Sequence, residues 1–224
     1  KITRGDDDVV YTTSPTIRIF AIRQQWSKWD AKEEMMLKTV MAVDLKGDLK
    51  DNAGTFNLGR PSGYIEDWDS VPDKTKDLIR SIKRKKIVFG QLSASAVTDE
   101  EGNPVDAIDN MPFYFELPPS SIKSLDLTVN ALGRKNILPI QCMLNLGASI
   151  ENSKTGNNFA IITIDTGDKV ELQPEDQTTL HNFLDYITTQ NSYILEQWNE
   201  KNKESISDDD AAIVAEFVNV EESD

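Results

Sequence analysis

From Ile17 to Asp165 the chain repeats one pattern, a short run of β-branched or aromatic residues followed by a cluster of Gly, Pro, Asn and Asp. Such runs fill strands and such clusters fill turns. The helical periods between them are too few for the strand-helix-strand rhythm of a parallel sheet. The predicted class is therefore mostly β within α+β, built from antiparallel pairs. Ile17, Ile19 and Ala21, alternating with Arg18, Phe20 and Ile22, mark a first strand, and Leu37, Val40, Ala42 and Val43 a second. Ile87 to Leu92 and Met111 to Leu117 read as a hairpin around the turn Asp99 to Pro104. Ile137 to Ile150 and Asn158 to Asp165 read as another around Asn152 to Asn157. Gln24 to Trp29 reads as a connector, and Gly47 to Gly63 as a long loop or hairpin region.

Two or three helices are predicted. Asp69 or Ser70 is placed to cap one that begins after Pro72, and Pro118-Pro119-Ser120 opens another running to about Leu132. The longest starts at Pro174 and puts Leu180, Phe183, Leu184, Ile187, Ile194, Leu195 and Trp198 on one stripe, a long C-terminal amphipathic helix over about 174–200. About six strands with peripheral helices fit an OB-like antiparallel β-barrel, with an α+β sandwich as the alternative. The expected organisation is a flexible N-terminus over 1–8, one binding domain over 9–203, and a disordered acidic tail over 204–224.

The net charge of −14 would by itself argue against a nucleic-acid partner, because affinity for phosphates comes from clustered Lys and Arg. Its distribution matters more. Eight acidic residues and no basic one lie between Glu204 and Asp224, so more than half of the imbalance sits there, whereas Lys74 to Lys86 is locally basic. The tail also holds an apolar island, Ile213-Val214 and Phe217-Val218, which a purely solvating segment would not need. No apolar run reaches the length that crosses a bilayer and no signal-peptide pattern opens the sequence, so a cytoplasmic location and no membrane partner are expected. Cys142 is the only cysteine, which removes intramolecular disulfides and thiolate metal cages.

Catalysis is not expected. His181 is the only histidine, and Ser120-x-x-Lys123 with Lys154-Thr155-Gly156 echo the penicillin-binding enzymes at the wrong separation. The stretch Asp44 to Asp51 places Lys46 where a calcium loop needs a ligand, and no phosphate loop is present. The reading is non-enzymatic, with no cofactor and no metal.

Binding is the better use of these residue types. Unpaired bases expose π-faces on which Trp, Tyr and Phe stack while Lys and Arg follow the phosphates. Trp26, Lys28, Trp29, Arg60, Tyr64, Arg80, Lys83, Arg84, Lys85, Lys86, Phe89, Tyr114, Arg134 and Lys135 are the candidates, with Asp208, Asp209, Asp210, Phe217, Glu221 and Glu222 as a partner-binding tail. On strands half of such aromatics face a core, and the Lys83 to Lys86 run also suits a solvated strand edge.

This combination of β-rich body, basic-aromatic stretches and acidic tail resembles the single-stranded DNA-binding proteins of bacteriophages. The stretches Gly59 to Ile65 and Ser81 to Arg84 resemble phage proteins as well. The resemblance implies an OB fold and a protein that coats single-stranded DNA during replication and recombination in the host cytoplasm. It also implies that the tail recruits replication or recombination proteins. Phe217 lies inside the tail and Asp224 closes the sequence, a departure from tails that end on an aromatic or apolar residue. The rival readings are an acidic protein-binding module, such as a phage inhibitor or DNA mimic, and a structural protein that self-associates through its last helix.

Overall fold

A computed structural model describes residues 1–5, 8–62, 65–152, 156 and 158–204. In chain order its strands are β1 (Ile2–Arg4), β2 (Asp8–Val10), β3 (Thr16–Asp30), β4 (Met35–Lys38), β5 (Lys83–Ala94), β6 (Val97–Thr98), β7 (Pro104–Val105), β8 (Ile108–Leu117), β9 (Cys142–Asn152) and β10 (Asn158–Lys169). Its helices are α1 (Asp73–Ser81), α2 (Pro119–Arg134) and α3 (Pro174–Glu204). The main sheet runs β10-β9-β3-β5-β8, with β4 also on β3, while β1-β2 and β6-β7 are separate ribbons. The pairs β10-β9, β9-β3, β3-β4 and β5-β8 are antiparallel.

The sheet does not close into the barrel predicted from sequence; β10 and β8 are its two ends. A helix does the work of a closing strand. The edge amides of Ile162 and Ile164 donate to Ser121 Oγ (3.0 Å) and Ser124 Oγ (3.1 Å), and Thr128 Oγ1 donates to the Ile164 carbonyl (2.6 Å). With these groups satisfied by hydroxyls on α2, that stretch of edge needs no further strand. At the other end β8 carries Pro112, whose missing N–H suits an edge strand. α2 stops at Arg134 because Asn136 turns left-handed, at φ 54°, and Ile137 N–H returns to the Leu132 carbonyl.

Packing divides the chain into two compact units. Unit 1 holds residues 1–24 and 85–186, and unit 2 holds residues 25–84 with residues from 187 onward. In unit 1, Ile17 and Ile19 of β3, Val88 and Leu92 of β5, Leu117 of β8, Leu125 and Leu132 of α2 and Leu144 of β9 form the main apolar core. Alternation sends Arg18, Phe20 and Phe89 to the opposite face, where the first half of α3 covers them. Phe183 packs on Phe20 and Phe89 with ring centroids 5.7 and 6.1 Å apart. Arg18 Nη1 and Nη2 donate to the two Asp176 carboxylate oxygens at 2.7 and 2.6 Å, and its Nε to the Ile140 carbonyl. Because both sides of β5 are covered, its middle reads as an unbroken apolar run. Gly90 is required there, since a Cβ would lie 2.2 Å from the Arg18 carbonyl oxygen.

Unit 2 is centred on Leu37, Leu58 and Ile82, with Trp26 and Leu78 against them. Asp51, fully buried, organises the 47–60 segment: its carboxylate accepts the amides of Ala53, Thr55 and Leu58 and the Thr55 hydroxyl. That hold forces Leu58 to φ 59° between Asn57 at 53° and Gly59 at 80°, a conformation a branched side chain rarely adopts. From α3, Asn191 brackets Met41 through both its amide and carbonyl, and Trp198 Nε1 donates to the Thr55 carbonyl.

Three further sequence expectations change. Gln24 to Trp29 is part of strand β3, whose polar Gln25 is buried because its Nε2 donates to the Thr39 carbonyl. The second strand stops at Lys38 rather than continuing to Val43, because Val40 N–H is taken by the Lys50 carbonyl and the Lys38 amide by Asn52 Oδ1. Neither Asp69 nor Ser70 caps α1; Pro72 stands at that position, and the Asp69 and Ser70 amides instead donate to Asp67 Oδ1.

Candidate nucleic-acid interface

The predicted residues fall into both units. In unit 1, Phe89 is only 1 % exposed and works as packing. Lys86 is buried with its ammonium on Asp126 of α2, and Lys85 pairs with Glu116 of β8, so each of these two charges is already matched. Tyr114 is different. It lies opposite Phe89 in the β5-β8 register yet is 60 % exposed, and its ring stacks on Tyr186 of α3, centroids 6.2 Å apart and planes at 27°. Tyr186, 43 % exposed, also touches Phe89 at 6.1 Å. Partial burial, then the neighbouring Tyr114, holds the Tyr186 phenol above its ordinary value, so this ring is neutral at physiological pH. Arg134 and Lys135 are exposed at the C-terminal end of α2, where the helix dipole favours cations.

In unit 2, Trp26 and Arg60 come together: the guanidinium carbon lies 4.4 Å from the indole centroid, delivered by the left-handed turn through Leu58 and Gly59. Trp29 is 54 % exposed and sits opposite Met36 across β3-β4. Three residues along a strand from Trp26, it points to the other face, whereas Lys28 shares the face of Trp26. Trp26 and Trp29 therefore cannot stack on consecutive bases along one surface. Asp30, next to Trp29, accepts the Lys32 and Glu33 amides, which hold its carboxyl below the usual range and keep it ionised in the β3-β4 turn. Arg80 is exposed, pairs with Asp77 at 3.2 Å and lies 6.0 Å from the Trp68 ring, while Lys83 Nζ donates to the Arg80 carbonyl. Arg84 is exposed.

Two aromatic groups were not legible as site candidates. Trp198, assigned by periodicity to a helix stripe, has Lys50 Nζ 4.0 Å from its ring centroid and Phe56 at 5.7 Å. Tyr186 carried no local signal, because its pairing with Tyr114 joins segments distant in sequence. Tyr64 and the tail residues Asp208, Asp209, Asp210, Phe217, Glu221 and Glu222 lie outside the described residues.

Among the described residues, no group of three or more His, Cys, Asp or Glu side chains is placed to hold a metal ion. His181 is exposed on α3 with Nδ1 2.8 Å from the Gln177 carbonyl, bonded within its own helix. No helix among the described residues is long and apolar enough to cross a membrane. What remains in each unit is a set of exposed or half-buried rings, with a cation on one face of Trp26, Trp68 and Trp198, an arrangement that suits binding of flat unsaturated groups. Compared with protein-family models, curated proteins and solved structures, the chain matches none.

Proposed function

We propose that this chain is a non-enzymatic single-stranded DNA-binding protein of the bacteriophage type, acting in replication or recombination in a host cytoplasm. The observation that carries the reading is strand order. Counting β3, β5, β8, β9 and β10 as one to five, the sheet runs 5-4-1-2-3 and α2 falls between the third and fourth strands. That order fits a five-stranded OB-type Greek key left open between its third and fifth strands, an architecture that binds oligonucleotides on the face of strands two and three. The rings and cations set out above supply both halves of such binding, stacking and phosphate contact. In this reading the acidic 204–224 segment recruits replication or recombination proteins and competes with DNA for the basic residues.

Fluorescence anisotropy of the full chain with labelled single strands and duplex, at low and moderate salt, tests the proposal. Preference for single strands, with affinity falling steeply as salt rises, is the expected result. A chain ending near Lys203 should bind more tightly. Absence of binding by both forms would overturn the proposal in favour of an acidic module that binds protein.

A further inference from the structure

We infer that Tyr186, together with Tyr114, forms a stacking platform for one unpaired base, so that α3 contributes a ring to the face of β5 and β8. The inference rests on the single-strand reading above and names a contact within it. The aromatic side chains on this face grade from buried to exposed. Phe183 and Phe89 are packed away, Phe20 is half-buried, and the row ends in two tyrosines at 60 % and 43 % exposure. Both outer rings lean on Phe89, at 6.3 Å for Tyr114 and 6.1 Å for Tyr186, so their positions are fixed before any ligand arrives. The 27° angle between them leaves the rings near enough to parallel for a third flat ring to extend the stack. The charged group next along this face of β8 is Glu116, and Lys85 already neutralises it. Asp185, beside Tyr186, is exposed. The platform therefore holds the base and not the phosphate, and its contribution is insensitive to salt.

The test uses the full chain with fluorescein-labelled oligothymidylate, and an iodouridine-substituted form of it for photocrosslinking. Tyr186→Ala and Tyr114→Ala should each weaken binding roughly tenfold, by the same factor at low and moderate salt, while Tyr186→Phe binds like the unaltered protein. Crosslinked peptides should map to Tyr114 or Tyr186. Because Tyr186→Ala also removes packing from Phe89, the crosslink map on the unaltered chain decides the matter independently of folding. Strand binding that persists in Tyr186→Ala, with crosslinks confined to other residues, overturns the platform and leaves the single-strand reading standing. No strand binding by the unaltered chain overturns both.

Discussion

Arg18 and Asp176 meet across 158 residues of sequence with both side chains about nine-tenths buried. Removing one partner of such a pair leaves an uncompensated buried charge, so Asp176→Ala should cost roughly 3–5 kcal/mol in urea denaturation near pH 7. Burial alone would raise the Asp176 carboxyl, but hydrogen bonds from Arg18 and the Gln173 amide outweigh it and hold it below its ordinary value of 3.8. The folded value is the lower one, so this stabilisation is complete above pH 3.8 and is lost as pH falls through the folded value. Urea midpoints measured downward from pH 5 should fall less in Asp176→Asn than in the unaltered chain. Strand alternation placed Arg18 off the core face, but nothing in the sequence named its partner. Phe89 shows the same limit from the other side: its residue type fits base stacking as well as core, and only the covering helix decides between them.

At the scale of elements, α2 and the β9-β10 hairpin were legible, because Pro118-Pro119 and the Asn152 to Asn157 cluster punctuate the chain strongly. The far half of β3 was not, since its buried Gln25 breaks the apolar alternation that marks a strand. Nor was the open sheet legible, because it depends on serines and a threonine of a helix meeting a strand edge, and hydroxyls on a helix ordinarily face water. Each of Ser121→Ala and Ser124→Ala should cost about 1–3 kcal/mol by leaving a strand amide without an acceptor, read by thermal or urea denaturation. Gly90→Ala should be at least as damaging, since the carbonyl its methyl group would strike belongs to the backbone of β3 and cannot swing aside. A melting temperature unchanged by Gly90→Ala would show that the two strands can part there at little cost.

For the whole molecule, the candidate residues were legible as types and not as a surface: their division between two units, and the opposed faces of Trp26 and Trp29, depend on pairing that composition does not encode. Arg60→Ala and Trp29→Ala separate the two kinds of contact. If Arg60 meets a phosphate, its loss should lower the slope of log affinity against log salt by about 1, whereas loss of Trp29 should shift affinity without changing the slope. Titrations across a salt series read both. The interleaving of the units has a further consequence, which concerns synthesis. Residues 25–84 leave the ribosome before residues 85–186 can complete unit 1, and they must wait for residues beyond 186 to complete their own unit. At about 5–20 residues per second, the nascent chain spends seconds with Met41, Thr55 and Phe56 lacking their partners Asn191 and Trp198. Both units therefore gain their α3 contacts only after Pro174 has been made, and holdase chaperones have their longest opportunity before that point.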